Sequence, residues 1–107
     1  MNDELKLQSL LGFASKAGNV TAGTAGVENA IKKRRVFLVI CATDLSAKTI
    51  KNFQYWCQVN ETSFCCYGTR AELGKWTGFP ERGVIGITSR QFAAIIKKLF
   101  IDRGELP

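Results

Sequence analysis

A chain of 107 residues has room for one compact domain and too little for a catalytic domain with a regulatory one beside it. With 46% hydrophobic and 22% charged residues it has an ordinary globular composition, and fifteen Lys and Arg against nine Asp and Glu leave a net charge of +6 that suits a polyanionic partner. Histidine is absent, which removes the usual general base, the usual neutral metal ligand and every Ser/His or Cys/His nucleophile, and argues against most hydrolytic chemistry.

The longest apolar run, Val36 to Ala42, falls far short of the ~20 residues needed to cross a bilayer. The start Met1-Asn2-Asp3-Glu4 is acidic, unlike a signal peptide, so a soluble cytoplasmic protein with no membrane partner is expected. Cys41, Cys57, Cys65 and Cys66 form no C-x-x-C pair and lie among apolar neighbours. They read as free buried thiols of a reducing compartment, with Cys65 and Cys66 on opposite faces of a strand.

Leu7, Leu10, Leu11 and Ala14 recur at helical spacing, with Asp3 to cap and Gly18 to stop, which predicts an amphipathic helix over about 3–17. A brief extended piece, Val20-Thr21-Ala22, ends at Gly23. Thr24 is the expected N-cap of a second helix that buries Val27, Ala30 and Ile31 and ends in Lys32-Lys33-Arg34-Arg35, where cations complement the helix dipole. Val36 to Ala42 is apolar without alternation and β-branched, as a central strand covered on both faces should be. Ser46 caps a third helix carrying Ile50, Phe53 and Cys57, and Asn60 closes it. Ser63 to Tyr67 reads as another buried strand.

Thr69-Arg70-Ala71-Glu72 fits the capping box and starts a fourth helix, with Leu73 and Trp76 inward, that stops at Gly78. Gly83 to Thr88 is the last strand, and Ser89 caps a fifth helix with Phe92, Ile95, Ile96 and Leu99 on its inner stripe. The alternation predicts an α/β fold, a three-layer α/β/α sandwich around a four-stranded mixed sheet. A single domain over residues 1–101 and a frayed tail over 102–107 complete the organisation.

Ligands of open α/β sheets bind beyond strand ends, where helix N-termini present free N–H groups. Three segments meet that description: Gly23-Thr24-Ala25-Gly26, Thr43-Asp44 after the central strand, and the loop Gly78-Phe79-Pro80-Glu81-Arg82. The first fits neither G-x-G-x-x-G nor G-x-x-x-x-G-K-[ST], although an RNA backbone can use the same N–H groups without either motif. Phe79-Pro80 beside Arg82 combines an apolar wedge with a cation on which an unstacked base can rest; it can equally lie over the core.

The segments Leu11-Gly12-Phe13-Ala14-Ser15-Lys16-Ala17-Gly18, Gly23 leading to Ala30-Ile31, Leu38-Val39-Ile40-Cys41-Ala42-Thr43-Asp44 and Gly68-Thr69-Arg70-Ala71-Glu72-Leu73-Gly74, in that order, resemble the kink-turn RNA-binding ribosomal-protein family of L7Ae and L30e type, and within it the bacterial YlxQ-like members. The likeness runs from about residue 6 to residue 99. It implies a non-enzymatic sandwich that grips structured RNA, a kink-turn or ribosomal RNA, without metal or cofactor. On this chain the implied RNA-binding residues are Gly23, Thr24, Ala25, Gly26, Asn29, Lys32 and Lys33, then Thr43 and Asp44, then Phe79, Pro80, Glu81 and Arg82. Where the best-known members carry Asn-Glu and a Lys three residues later, this chain has Ala25-Gly26 and Asn29. Backbone donors and shape replace side chains there, so phosphate-dominated binding is expected. The alternative expectation is a small phosphate- or nucleotide-binding protein or enzyme using the same helix end; a third is a protein-interaction role within the ribosome or a processing complex.

Overall fold

Over residues 3–106, which the computed structural model describes, helices and strands alternate as α1 (Asp3–Lys16), β1 (Val20–Ala22), α2 (Thr24–Lys32), β2 (Leu38–Cys41), α3 (Ala47–Val59), β3 (Ser63–Cys66), α4 (Arg70–Thr77), β4 (Val84–Ile87) and α5 (Arg90–Asp102). Met1, Asn2 and Pro107 lie outside the described residues, and with them part of the acidic start and the end of the expected tail. The sheet order is β1-β4-β2-β3; β4 runs antiparallel to β1 and β2, and β2 runs parallel to β3.

The sheet is covered on both faces because its strands point apolar side chains both ways. Leu38 and Ile40 of β2, Ile85 and Ile87 of β4 and Cys65 of β3 pack with Leu7 and Leu11 of α1, Leu73 of α4 and Ile96 and Phe100 of α5. Val39, Cys41, Val84 and Cys66 face the other way, onto Val27 and Ile31 of α2 and Phe53 and Cys57 of α3. Each large side chain so buried contributes about 1.5–3 kcal/mol. Gly86 leaves room where sheet and loop meet: a Cβ there would lie 2.8 Å from Val36 Cγ1.

Local signals place most helix starts. The side chains of Ser46, Thr69 and Ser89 each accept an N–H of their own first turn, and Glu72 completes the capping box by accepting from Thr69 N–H at 3.0 Å. The cap expected at Thr24 is not formed. Gly23 is the N-cap, with φ 93° and ψ 154°, and no side chain caps α2. The chain passes from β1 into α2 across one residue, a turn that needs a conformation essentially confined to glycine.

The last helix differs from expectation at one position of its stripe. On α5 the buried residues are Ala93, Ile96 and Phe100, with Phe92 and Leu99 of the expected stripe packed partly buried beside them, whereas Ile95 is 51% exposed; the Phe100 ring packs edge-on against Tyr67 with centroids 5.2 Å apart. Residues 103–106 follow α5 with contacts of their own. Gly104 and Glu105 donate back to the Ile101 and Phe100 carbonyls, the Arg103 guanidinium lies over the Tyr67 ring, and Leu106 packs on the core.

Candidate nucleic-acid interface

One end of the sheet gathers the three segments that the sequence singles out. Gly23 N–H donates to the Val84 carbonyl at 2.9 Å, and Ala42 N–H to the Gly83 carbonyl at 2.7 Å. Thr43 donates both its N–H, at 2.8 Å, and its hydroxyl, at 3.0 Å, to the Gly68 carbonyl. The Phe79–Arg82 loop joins the same end: Arg82 N–H approaches the Arg70 carbonyl at 3.4 Å, and the Phe79 and Pro80 carbonyls lie directly over Gly74, where a Cβ would come within 2.9 Å and 2.8 Å of them. Leu45 presses on Gly83 in the same way, tying the loop after β2 to the loop before β4.

At the centre of this end the start of α2 is open. The first hydrogen bond of the helix runs from Val27 N–H to the Gly23 carbonyl, so the N–H groups of Thr24, Ala25 and Gly26 have no acceptor among the described residues. All three residues are exposed, and none carries a long side chain. Free donors and the positive end of the helix dipole make the spot favourable for an anion.

Farther along the helix, Ala25, Asn29 and Lys32 follow at i, i+4 and i+7 on the exposed face, with Lys33 as the C-cap. The lysines do not crowd round the open start; Lys32 stands eight residues on, about 12 Å at 1.5 Å per residue. Its ammonium is 2.9 Å from the Glu28 carboxylate and lies over the Trp56 ring of α3, so part of its charge is used within the molecule. Lys33 forms no ion pair among the described residues.

Asp44 plays an internal part. Its carboxylate accepts Arg70 N–H at 3.0 Å and lies 3.6 Å from the Arg70 guanidinium, which fixes the start of α4 beside the loop after β2. Phe79 is 36% exposed and Pro80 is exposed, leaving an apolar tip beside Arg82, whose guanidinium donates to the Glu81 carbonyl. Sequence reasoning missed Arg70 as part of this end, and with it a cleft of about 430 Å³ between α1 and α4, lined by Gln8, Thr43, Tyr67, Gly68 and Trp76 and by the acids Glu4 and Glu72. The capping box at Thr69 was the available signal, since it places Arg70 at a helix start next to a strand end.

The thiols are covered by the fold, Cys41, Cys57 and Cys65 buried and Cys66 half-buried. Burial pushes Cys41 and Cys57 up to about 12, raises Cys65 further, and lifts the half-buried Cys66 as well. Among the described residues no group of three or more His, Cys, Asp or Glu is placed to hold a metal ion, and no helix is long and apolar enough to cross a membrane.

Comparison with known proteins agrees with the fold. Residues 5–97 match the family described as the ribosomal protein L7Ae/L30e/S12e/Gadd45 family. The RNA-binding protein YlxQ of Bacillus subtilis (strain 168) is 32% identical over 84 residues, covering 78% of this chain and 84% of that protein. A solved structure of a protein of unknown function from Bacillus halodurans superposes with a TM-score of 0.87 at 31% identity, over 90% of this chain and 97% of that one. The Giardia lamblia 15.5kD RNA binding protein shares the fold, with a TM-score of 0.80 at 14% identity over 94% of this chain and 86% of that one. The chain belongs to the ribosomal protein L7Ae/L30e/S12e/Gadd45 family.

Proposed function

We propose that the protein is a non-enzymatic RNA-binding module that docks a structured RNA, kink-turn-like or ribosomal, on the open end of the sandwich. The observation that carries this reading is the uncapped start of α2, where the free N–H groups of Thr24, Ala25 and Gly26 point into solvent without side chains in the way. A phosphate is the group that satisfies several such donors together. The name and 32% identity of the YlxQ relative support RNA as its source.

In this reading Asn29, Lys32 and Lys33 extend the contact along the outer face of α2. Thr43 and the tip Phe79-Pro80, with Glu81 and Arg82, border the docked strand on the other side. Asp44 acts through Arg70, holding the rim in place rather than touching bases. Because Ala25 and Gly26 offer no base-reading side chains, phosphate contacts dominate and discrimination between RNA shapes is modest.

The experiment is a binding titration with a kink-turn RNA, a variant with its G·A pairs disrupted, and a plain duplex, each at two salt concentrations. If about six phosphates are contacted, log affinity falls against log salt with a slope of roughly −5. The kink-turn binds best by a small factor. A flat salt response would overturn the reading.

A further inference from the structure

The opposite end of the sandwich carries a second feature that the open start of α2 does not explain. A cleft of about 440 Å³ lies where β2 and β3 begin and α5 starts, lined in part by Arg34, Phe37, Glu61, Arg90 and Lys97. Three cations against one carboxylate leave it positive. Arg34, Arg90 and Lys97 form no ion pair among the described residues, and the Arg90 guanidinium lies over the Phe37 ring, 4.9 Å from its centroid. Such unpaired like charges repel one another unless an anion joins them.

The backbone adds an independent sign. Helices α1, α2, α3 and α5 all end in the same doubly hydrogen-bonded turn, whose left-handed residue is Gly18, Arg34, Glu61 and Gly104 in turn. Glycine suits that position, yet at the two turns that line the cleft the chain places Arg34 at φ 55° and Glu61 at φ 54°. At Arg34 the strained conformation persists where glycine would relieve it, and the side chain retained there is a cation lining the cleft.

We infer that this cleft is a second phosphate-backbone site, which takes a stem of the same RNA that docks on the start of α2. The RNA as partner rests on the function proposed above; the site itself rests on the cleft. The outer face of α2 links the two, since Asn29, Lys32 and Lys33 lead from the open start to Arg34.

The test compares a short RNA, trimmed to the α2 contact, with the same RNA carrying a long flanking stem, against the full chain and the variants Arg34→Gly and Glu61→Gly. Both substitutions relieve a left-handed backbone, so both raise the thermal midpoint, and a loss of fold cannot mimic a loss of binding. On the long RNA, Arg34→Gly weakens binding severalfold and lowers the salt slope by about 1, whereas Glu61→Gly tightens it. On the short RNA neither changes affinity. Unchanged binding of the long RNA by both variants overturns the second site and leaves the first intact. Failure of the unaltered chain to bind either RNA overturns the proposed function and this site together.

Discussion

The Asp44 carboxylate and the Arg70 backbone N–H, 26 residues apart in sequence, meet at 3.0 Å, and the Arg70 side chain folds back toward the same carboxylate at 3.6 Å. An acid at a strand end thus stabilises the N-terminus of α4, where the helix dipole favours negative charge. The side chains are about half exposed, so the ion pair itself adds little. Asp44→Ala is expected to cost about 1 kcal/mol in a urea titration and Asp44→Asn less than half of that, because the amide oxygen can still accept Arg70 N–H. Equal losses would show that the charge, and not the hydrogen bond, holds the rim.

Gly23 and Gly26 differ in what they permit, although both stand at the start of α2. At Gly23 a Cβ meets nothing within 4 Å, yet φ is 93°, so Gly23→Ala is strained purely by backbone and should destabilise the fold by about 1–3 kcal/mol. Gly26 is helical, and a Cβ there would lie 3.3 Å from Thr21 Oγ1. Gly26→Ala gains up to about 1 kcal/mol of helix propensity if the Thr21 hydroxyl yields by a few tenths of an ångström. Thermal midpoints moving in opposite directions for the two variants would confirm the distinction.

Much of this architecture is legible in the sequence, and what is not has a physical reason. Ser46, Thr69 with Glu72, and Ser89 announce helix starts because their partners are three residues away. Central strand β2 is legible because all four of its residues are buried, which leaves no polar alternation. Gly23 misleads because Thr24 beside it is an equally good cap on paper, and only the sharp turn out of β1 decides between them. The clasp of Asp44 on Arg70 joins distant residues that no local pattern connects. Arg34 and Glu61 are invisible as helix terminators because neither residue type favours the left-handed region. The basic run is legible as the C-terminal end of α2, whereas the approach of Lys32 to Trp56 of α3 joins residues that no local pattern connects.

Alkaline solution should weaken the fold through the thiols. In the unfolded chain Cys41 and Cys57 ionise near the ordinary 9.0, whereas burial raises both to about 12 in the folded protein. The folded state then binds more protons than the unfolded one between those values. Stability is therefore fully present below about pH 9 and falls as pH rises toward about 12. Urea midpoints across that range should decline, with a shallower decline in Cys57→Ala after allowance for its lower starting stability. Near neutral pH a thiol reagent should label the half-buried Cys66 ahead of the other three.

Selectivity for a kinked RNA can be added. Ala25→Asn, Gly26→Glu and Asn29→Lys together supply the side chains that this chain lacks relative to the best-known family members. The triple variant should discriminate a kink-turn from its G·A-disrupted form by a further tenfold or more, since a good base contact is worth about 1–3 kcal/mol. Competition binding with the two RNAs measures it. No gain in the ratio would mean that the RNA does not enter beside the start of α2.

The most direct measurement follows the backbone amides by NMR as a kink-turn RNA is titrated into the labelled protein. The account predicts that the largest, saturable shifts fall on Thr24, Ala25 and Gly26, joined by Thr43 and residues 79–82. Saturable binding that leaves those three amides unmoved would contradict it.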